Sequence, residues 1–131
     1  RALIALGHWL GEPRYLESAE RTLRAFAREL AQQPSGMASL IFALEDALEP
    51  PTTVILRGDP ATCTAWRRAI ERAYRPRVQV LDLAREGELP GALSRPHETG
   101  EEATAWVCMG TVCLPSINTL DALEKALSGG R

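Results

Sequence analysis

Cys108 and Cys113 are the residues best placed by type and spacing to do chemistry. Four residues, Met109-Gly110-Thr111-Val112, separate them, and Pro115 follows two positions later. A two-residue turn at Gly110-Thr111 would set Met109 opposite Val112 and Cys108 opposite Cys113, and glycine at the first turn position is what a type II′ hairpin requires. Opposed residues of antiparallel strands lie roughly 4.5–5.5 Å apart at Cα, inside the range that a disulfide spans. The spacing permits a bond without requiring one. Three readings stay open: a structural or packing pair (bonded or free), a redox-sensitive pair, and two ligands of a metal. Catalytic dithiols usually sit at a helix N-terminus, where the macrodipole favours the thiolate. Here Cys108 falls within a strand-like run and Cys113 several residues before the next helix, which argues against fast exchange. A structural zinc site takes four ligands, and beyond this pair only Cys63, His8 and His97 remain, widely scattered. No metal and no cofactor is expected.

Other polar words carry weaker signals. Gly58-Asp59-Pro60 follows a strand-like run and opens a helix-like one, so its backbone N–H groups form a candidate anion-binding turn. It lacks the further glycines of a dinucleotide fingerprint and the Gly-Lys-Ser/Thr of a P-loop, and the plainer reading is a capped turn with Asp59 as N-cap. His97 stands near Glu98, Glu101 and Glu102 in a polar stretch that reads as a solvated acidic loop. His8, beside Trp9, reads as a half-buried helix residue, and Cys63 as a small apolar filler or a surface thiol. Two isolated histidines support no Ser-His-Asp arrangement, and no catalytic residue is assigned.

The elements that position these residues follow from periodicity. Leu3, Ile4, Leu6, Trp9 and Leu10 mark a first helix that stops at Gly11. Pro13 opens a second, in which Leu16, Ala19, Leu23, Phe26, Ala27 and Leu30 recur at helical spacing. Ser35 is the expected N-cap of a third, carrying Met37 to Leu48, and Pro50-Pro51 ends it. Then Thr53-Val-Ile-Leu56 reads as a strand buried on both faces, followed by a helix through Trp66, Ile70 and Tyr74 and a second strand at Val78–Leu83. Strand, helix and strand at this spacing form a βαβ unit, with parallel strands and, by the general rule, a right-handed crossover. Residues 85–102 hold Gly87, Pro90, Gly91, Pro96 and Gly100 and read as a surface connection. A third strand at about 103–109 puts Thr104, Trp106 and Cys108 on one face. A last helix, capped near Asn118 or Thr119, ends before Gly129, with a short tail to Arg131. The expected fold is α/β, with α+β as the alternative: a helical segment at 1–50, and at 51–131 a small α/β subdomain with a sheet of three or four strands.

Composition excludes several classes. The 131 residues suit one ordinary domain or two small subdomains. The net charge of −2, with both signs interspersed, lacks the basic stripe of a nucleic-acid surface. No apolar run approaches membrane-spanning length. Three cysteines without a secretory signal point to a reducing compartment, so the expected localisation is cytoplasmic. The chain starts at Arg1 inside an apolar helical pattern, with no initiator Met, and is expected to be a C-terminal piece of a longer protein.

The local words, taken in order, resemble the C-terminal end of the thioredoxin-domain-containing, spermatogenesis-associated family. The resemblance rests on Ala103 to Cys108, Cys113-Leu-Pro115 and Leu120-Asp-Ala-Leu123, which match a terminal strand, two cysteines with a proline, and a leucine-rich helix. Gly11 to Ala19 looks like a barrel hairpin, and Val54 to Pro60 like the family's strand into a Gly-Asp-Pro turn. The resemblance implies an upstream thioredoxin-like domain with its own redox motif. It also implies that residues 1–50 close an α/α barrel of the six-hairpin glycosidase type. No position here matches a sugar-processing carboxylate. The implied role is a non-catalytic C-terminal module. The alternatives are part of a carbohydrate-active or thiol-redox enzyme whose catalytic residues lie upstream, or a helical interaction module. Implied partners are the upstream domains, with self-association through an apolar helical face they would otherwise cover.

Overall fold

The computed structural model describes residues 1–84 and 87–129. Arg85 and Glu86, at the start of the expected connection, and Gly130 and Arg131, at the end of the expected tail, lie outside the described residues. The fold is α/β, with six α-helices and a four-stranded mixed sheet among the described residues. The chain forms two compact units, one of Arg1–Pro50 with Pro90–Ala92, the other of Pro51–Leu89 with Leu93–Arg131.

In the helical unit, α1 (Ala2–Leu10) ends at Gly11, whose φ of 67° is the left-handed cap that glycine adopts without strain. The next helix, α2 (Pro13–Ala25), packs against it closely. A Cβ on Gly7 would lie 2.6 Å from the Leu16 side chain, so a larger residue there would have to displace Leu16. Ile4, Ala19 and Ala43 form a small core with Leu16 and Leu23 packed on it. Two expectations are corrected here. The second helix does not run unbroken to Leu30, because Phe26 (φ −103°, ψ 8°) leaves helical geometry and separates α2 from α3 (Ala27–Gln32). Nor does Ser35 cap the next helix. It is taken into a 3-10 turn at Pro34–Gly36, and α4 (Ala38–Leu48) starts after Met37 without a side-chain cap. Asp46 of α4, buried, is paired with the guanidinium of Arg1 at 2.7 Å, which satisfies a charge that burial would otherwise penalise.

In the other unit, β1 (Thr52–Gly58) is a central strand of the sheet, and Thr53 to Leu56 are buried as a strand covered on both faces should be. It pairs in parallel with β2 (Val78–Asp82) and antiparallel with β3 (Ala103–Met109). The short β4 (Val112–Cys113) adds to β3, giving the order β2-β1-β3-β4. The helix α5 (Pro60–Arg72) links β1 to β2. It ends before Tyr74, because Pro76 forces the chain before it out of helical geometry. Arg75 then donates to the last-turn carbonyl of Ile70 at 3.1 Å. One face of the sheet (Val54, Leu56, Ala105, Val107) packs with Trp66 and Ile70 of α5 and Leu123 of α6 (Leu120–Ser128). The opposite face carries Thr53 and Ile55 of β1 beside Cys108 and Trp106 of β3.

Candidate functional site

The cysteine hairpin closes as the turn chemistry dictates. Gly110 has φ 59° and Thr111 does not, which is the signature of glycine in the first position of a type II′ turn. Met109 pairs with Val112 and Cys108 with Cys113. Leu114 N–H donates to the Val107 carbonyl at 2.9 Å, so the cysteines fall at the intervening non-hydrogen-bonded position, where side chains approach most closely. Their Cα atoms are 3.9 Å apart, and the two sulfurs stand at disulfide distance, 2.02 Å.

The two sulfurs are not equivalent. Cys108 lies on an interior strand, with Thr53 beside it on β1 and Cys113 beside it on β4, and only 2% of its surface is exposed. Cys113 lies on the edge strand and is half-buried. Arg95, from the connection before β3, reaches across 18 positions of sequence and puts Nη2 3.1 Å from Cys113 Sγ. Its guanidinium lies over the Trp106 ring, 5.2 Å from the centroid, and Trp106 Nε1–H donates to the Pro96 carbonyl at 3.3 Å. Arg95 Nε is buried and makes no hydrogen bond, so this charge is held by the indole face and the sulfur. Met109, Val112 and Leu114 are exposed around the hairpin tip.

The same connection is tied down a second time. Glu98 accepts hydrogen bonds from Ser116 Oγ–H and, at 2.7 Å, from Asn118 Nδ2–H. Those donors, Ser116 first, hold its carboxyl below the usual carboxylate range. Glu98 N–H also donates to Thr104 Oγ1 at 3.2 Å, and Thr104 Oγ1 lies 3.4 Å from His97 Nδ1. The stretch expected to be a solvated acidic loop is therefore, at Arg95 to Glu98, a strap fastened to the Thr104–Trp106–Cys108 face. Sequence periodicity places Trp106 and Cys108 together. Arg95, Ser116 and Asn118 carry no local signal, since their roles depend on contacts 18 to 20 positions away.

The Gly58-Asp59 turn is also near this strap. Gly58 has φ 127°, and a Cβ there would lie 2.4 Å from the Glu102 carbonyl oxygen and 3.1 Å from His97 Cε1. The donors of the turn already have partners. Asp59 N–H donates to the Glu102 carbonyl at 2.7 Å, and Asp59 Oδ2 accepts from Thr62 N–H at 2.8 Å and Thr62 Oγ1–H at 3.0 Å. The Thr62 backbone and hydroxyl, with a smaller contribution from Ala61, lower the Asp59 pKa. The turn thus holds its own carboxylate where an external anion would bind.

Cys63 is fully buried in α5, and burial, helped by the negative charges of Asp82 and Asp59, pushes its thiol up to about 11. It is a core filler rather than a surface thiol. His8 lies in the helical unit, its Nδ1 buried without a hydrogen-bond partner, and desolvation lowers its pKa. Among the described residues, no three His, Cys, Asp or Glu side chains converge to hold a metal ion, and no helix is long and apolar enough to cross a membrane. No family model matches the chain, and neither a curated protein nor a solved structure matches it.

Proposed function

We propose that the chain is a non-catalytic structural module whose Cys108–Cys113 hairpin responds to thiol redox state. The observation that carries this reading is the position of the pair. It bridges an interior strand to the edge strand, with the half-buried Cys113 beside a cation, whereas a pair serving packing alone would sit among apolar side chains. The proposed setting is cytoplasmic. Support comes from the odd cysteine count and from the free thiol of Cys63, kept protonated inside the core. The proposed larger context is the C-terminal end of a protein of the thioredoxin-domain-containing, spermatogenesis-associated type. In that context the helical unit would pack against further barrel helices. An apolar groove of about 780 Å³, lined by residues including Leu16, Leu23, Leu30 and Leu44, supports this part of the reading. Leu48 at its rim is 77% exposed. On its own the chain would then self-associate through the groove, and Leu48→Glu would return it to monomer in sedimentation equilibrium. A wild-type chain that is monomeric at tens of micromolar by the same method would sink the barrel context.

The redox reading is tested by differential alkylation and mass spectrometry across glutathione buffers. Interconversion of the pair near a cytosolic potential, roughly −220 to −320 mV, is the expected result. Thiols that stay reduced throughout, and are alkylated only after denaturation, would leave the pair as packing residues and remove the redox function.

A further inference from the structure

We propose that Cys113 is the sulfur through which the hairpin exchanges with an external disulfide, that Arg95 stabilises its thiolate, and that Cys108 is the resolving thiol. This rests on the redox reading above and adds the order of events and the residue that drives them. The two cysteines differ in strand position, in burial and in the charge beside them. Cys108 is enclosed between Thr53 and Cys113 within the sheet. Cys113 is on the edge strand, where an incoming group can approach from outside the ladder. A nearby cation favours the thiolate, which is the nucleophile. Neither cysteine lies at a helix N-terminus, and the charge a helix would have offered comes from Arg95 Nη2, 3.1 Å from Cys113 Sγ. The Trp106 ring, 5.2 Å from the guanidinium carbon, helps hold the charge in place.

The chemistry balances as two displacements. The Cys113 thiol releases its proton to water, and its thiolate attacks one sulfur of a disulfide RSSR. A Cys113–SR bond forms as the S–S bond of RSSR breaks, and RS⁻ leaves and takes up a proton. The Cys108 thiol then loses its proton, attacks Cys113 Sγ and expels the second RS⁻, which is protonated in turn. The hairpin dithiol is oxidised by two electrons, and RSSR is reduced to two RSH.

The test uses the full chain, with oxidised glutathione as the probe and mass spectrometry to locate the adduct. Cys113 in Cys108→Ser should capture glutathione at least ~10-fold faster than Cys108 does in Cys113→Ser. In the Cys108→Ser background, Arg95→Gln should slow capture about 10-fold and weaken the thiolate absorbance near 240 nm, while Arg95→Lys restores most of both. A structural role for Arg95 alone would not produce rescue by charge. Cys63 serves as the folding control, because its alkylation reports an opened core; should Cys108→Ser open it, Cys108→Ala takes its place. Capture at Cys108 as fast as at Cys113, or a rate indifferent to Arg95→Gln, overturns the assignment. If that occurs while the wild-type pair still interconverts in glutathione buffers, the redox reading stands and only this ordering is lost.

Discussion

The guanidinium of Arg95 lies over the indole of Trp106, with its central carbon 5.2 Å from the ring centroid. The contact fastens the strap before β3 to the strand that follows it, and it aims the charge at Cys113. Trp106 makes two attachments, the cation–π contact and the Nε1–H bond to the Pro96 carbonyl. Trp106→Leu keeps an apolar side chain but loses both, and should lower stability by about 1–2 kcal/mol. Amide exchange should show the larger change at residues 94–98, with little at β1. A uniform loss of protection over the whole sheet would mean that Trp106 acts mainly as core packing.

How much of this was legible in the sequence divides by the range of the interactions. The hairpin register follows from neighbours alone, because Gly110 is the one residue there free to take positive φ at no cost and strand alternation does the rest. Asp59-Pro60 likewise announces α5, since cap and first-turn proline act over three residues. The break at Phe26 was hidden because the apolar spacing of Leu23, Phe26, Ala27 and Leu30 continues across it, although Phe26 itself turns out to solvent. Ser35 has the right type for a cap, but Pro34 draws it into a tighter turn. Arg95 and Glu98 look like any charges in a Gly/Pro-rich connection. Only the folded sheet brings Trp106, Cys113, Ser116 and Asn118 within their reach.

Gly58 is where the backbone itself sets a limit. Its φ of 127° is open only to glycine, and any Cβ would strike the Glu102 oxygen at 2.4 Å and Ala103 Cα at 2.8 Å, both backbone atoms. Gly58→Ala should therefore cost at least ~2 kcal/mol, from the dihedral and the overlap together. Gly36→Ala, at a position with open space around the added methyl, serves as the control and should change stability little. Urea midpoints of the two variants decide the matter, and equal midpoints would show that the Gly58 turn relaxes freely.

His8 predicts a pH dependence with a definite sign. Burial lowers its folded-state pKa below the ordinary 6.5. The unfolded chain therefore binds the proton more readily, and this contribution to stability is fully present above about 6.5 and declines as pH falls below it. His8→Gln, which cannot titrate, should lessen the loss of stability between pH 7.5 and pH 5 in denaturant melts. A wild-type and variant difference that stays constant across that range would mean that His8 takes up its proton without penalty.

Reducing the Cys108–Cys113 bond should lower stability only modestly. The bond closes a loop of six residues, and in the chain-entropy account so small a loop contributes about 2 kcal/mol. The reduced hairpin keeps its type II′ turn and its Leu114–Val107 hydrogen bond, neither of which depends on the sulfurs. Most of the sheet is held elsewhere, by the β1–β3 ladder and by Leu56, Ile70 and Leu123 in the core. Thermal melts with and without a phosphine reductant should accordingly show one cooperative transition displaced by several degrees, with the Cys108→Ala/Cys113→Ala variant matching the reduced protein and insensitive to reductant. A difference of that size would let the proposed change of redox state occur while the fold persists. Loss of the cooperative transition on reduction would instead make the bond essential to the fold, and a pair of that kind could not act as a reversible responder.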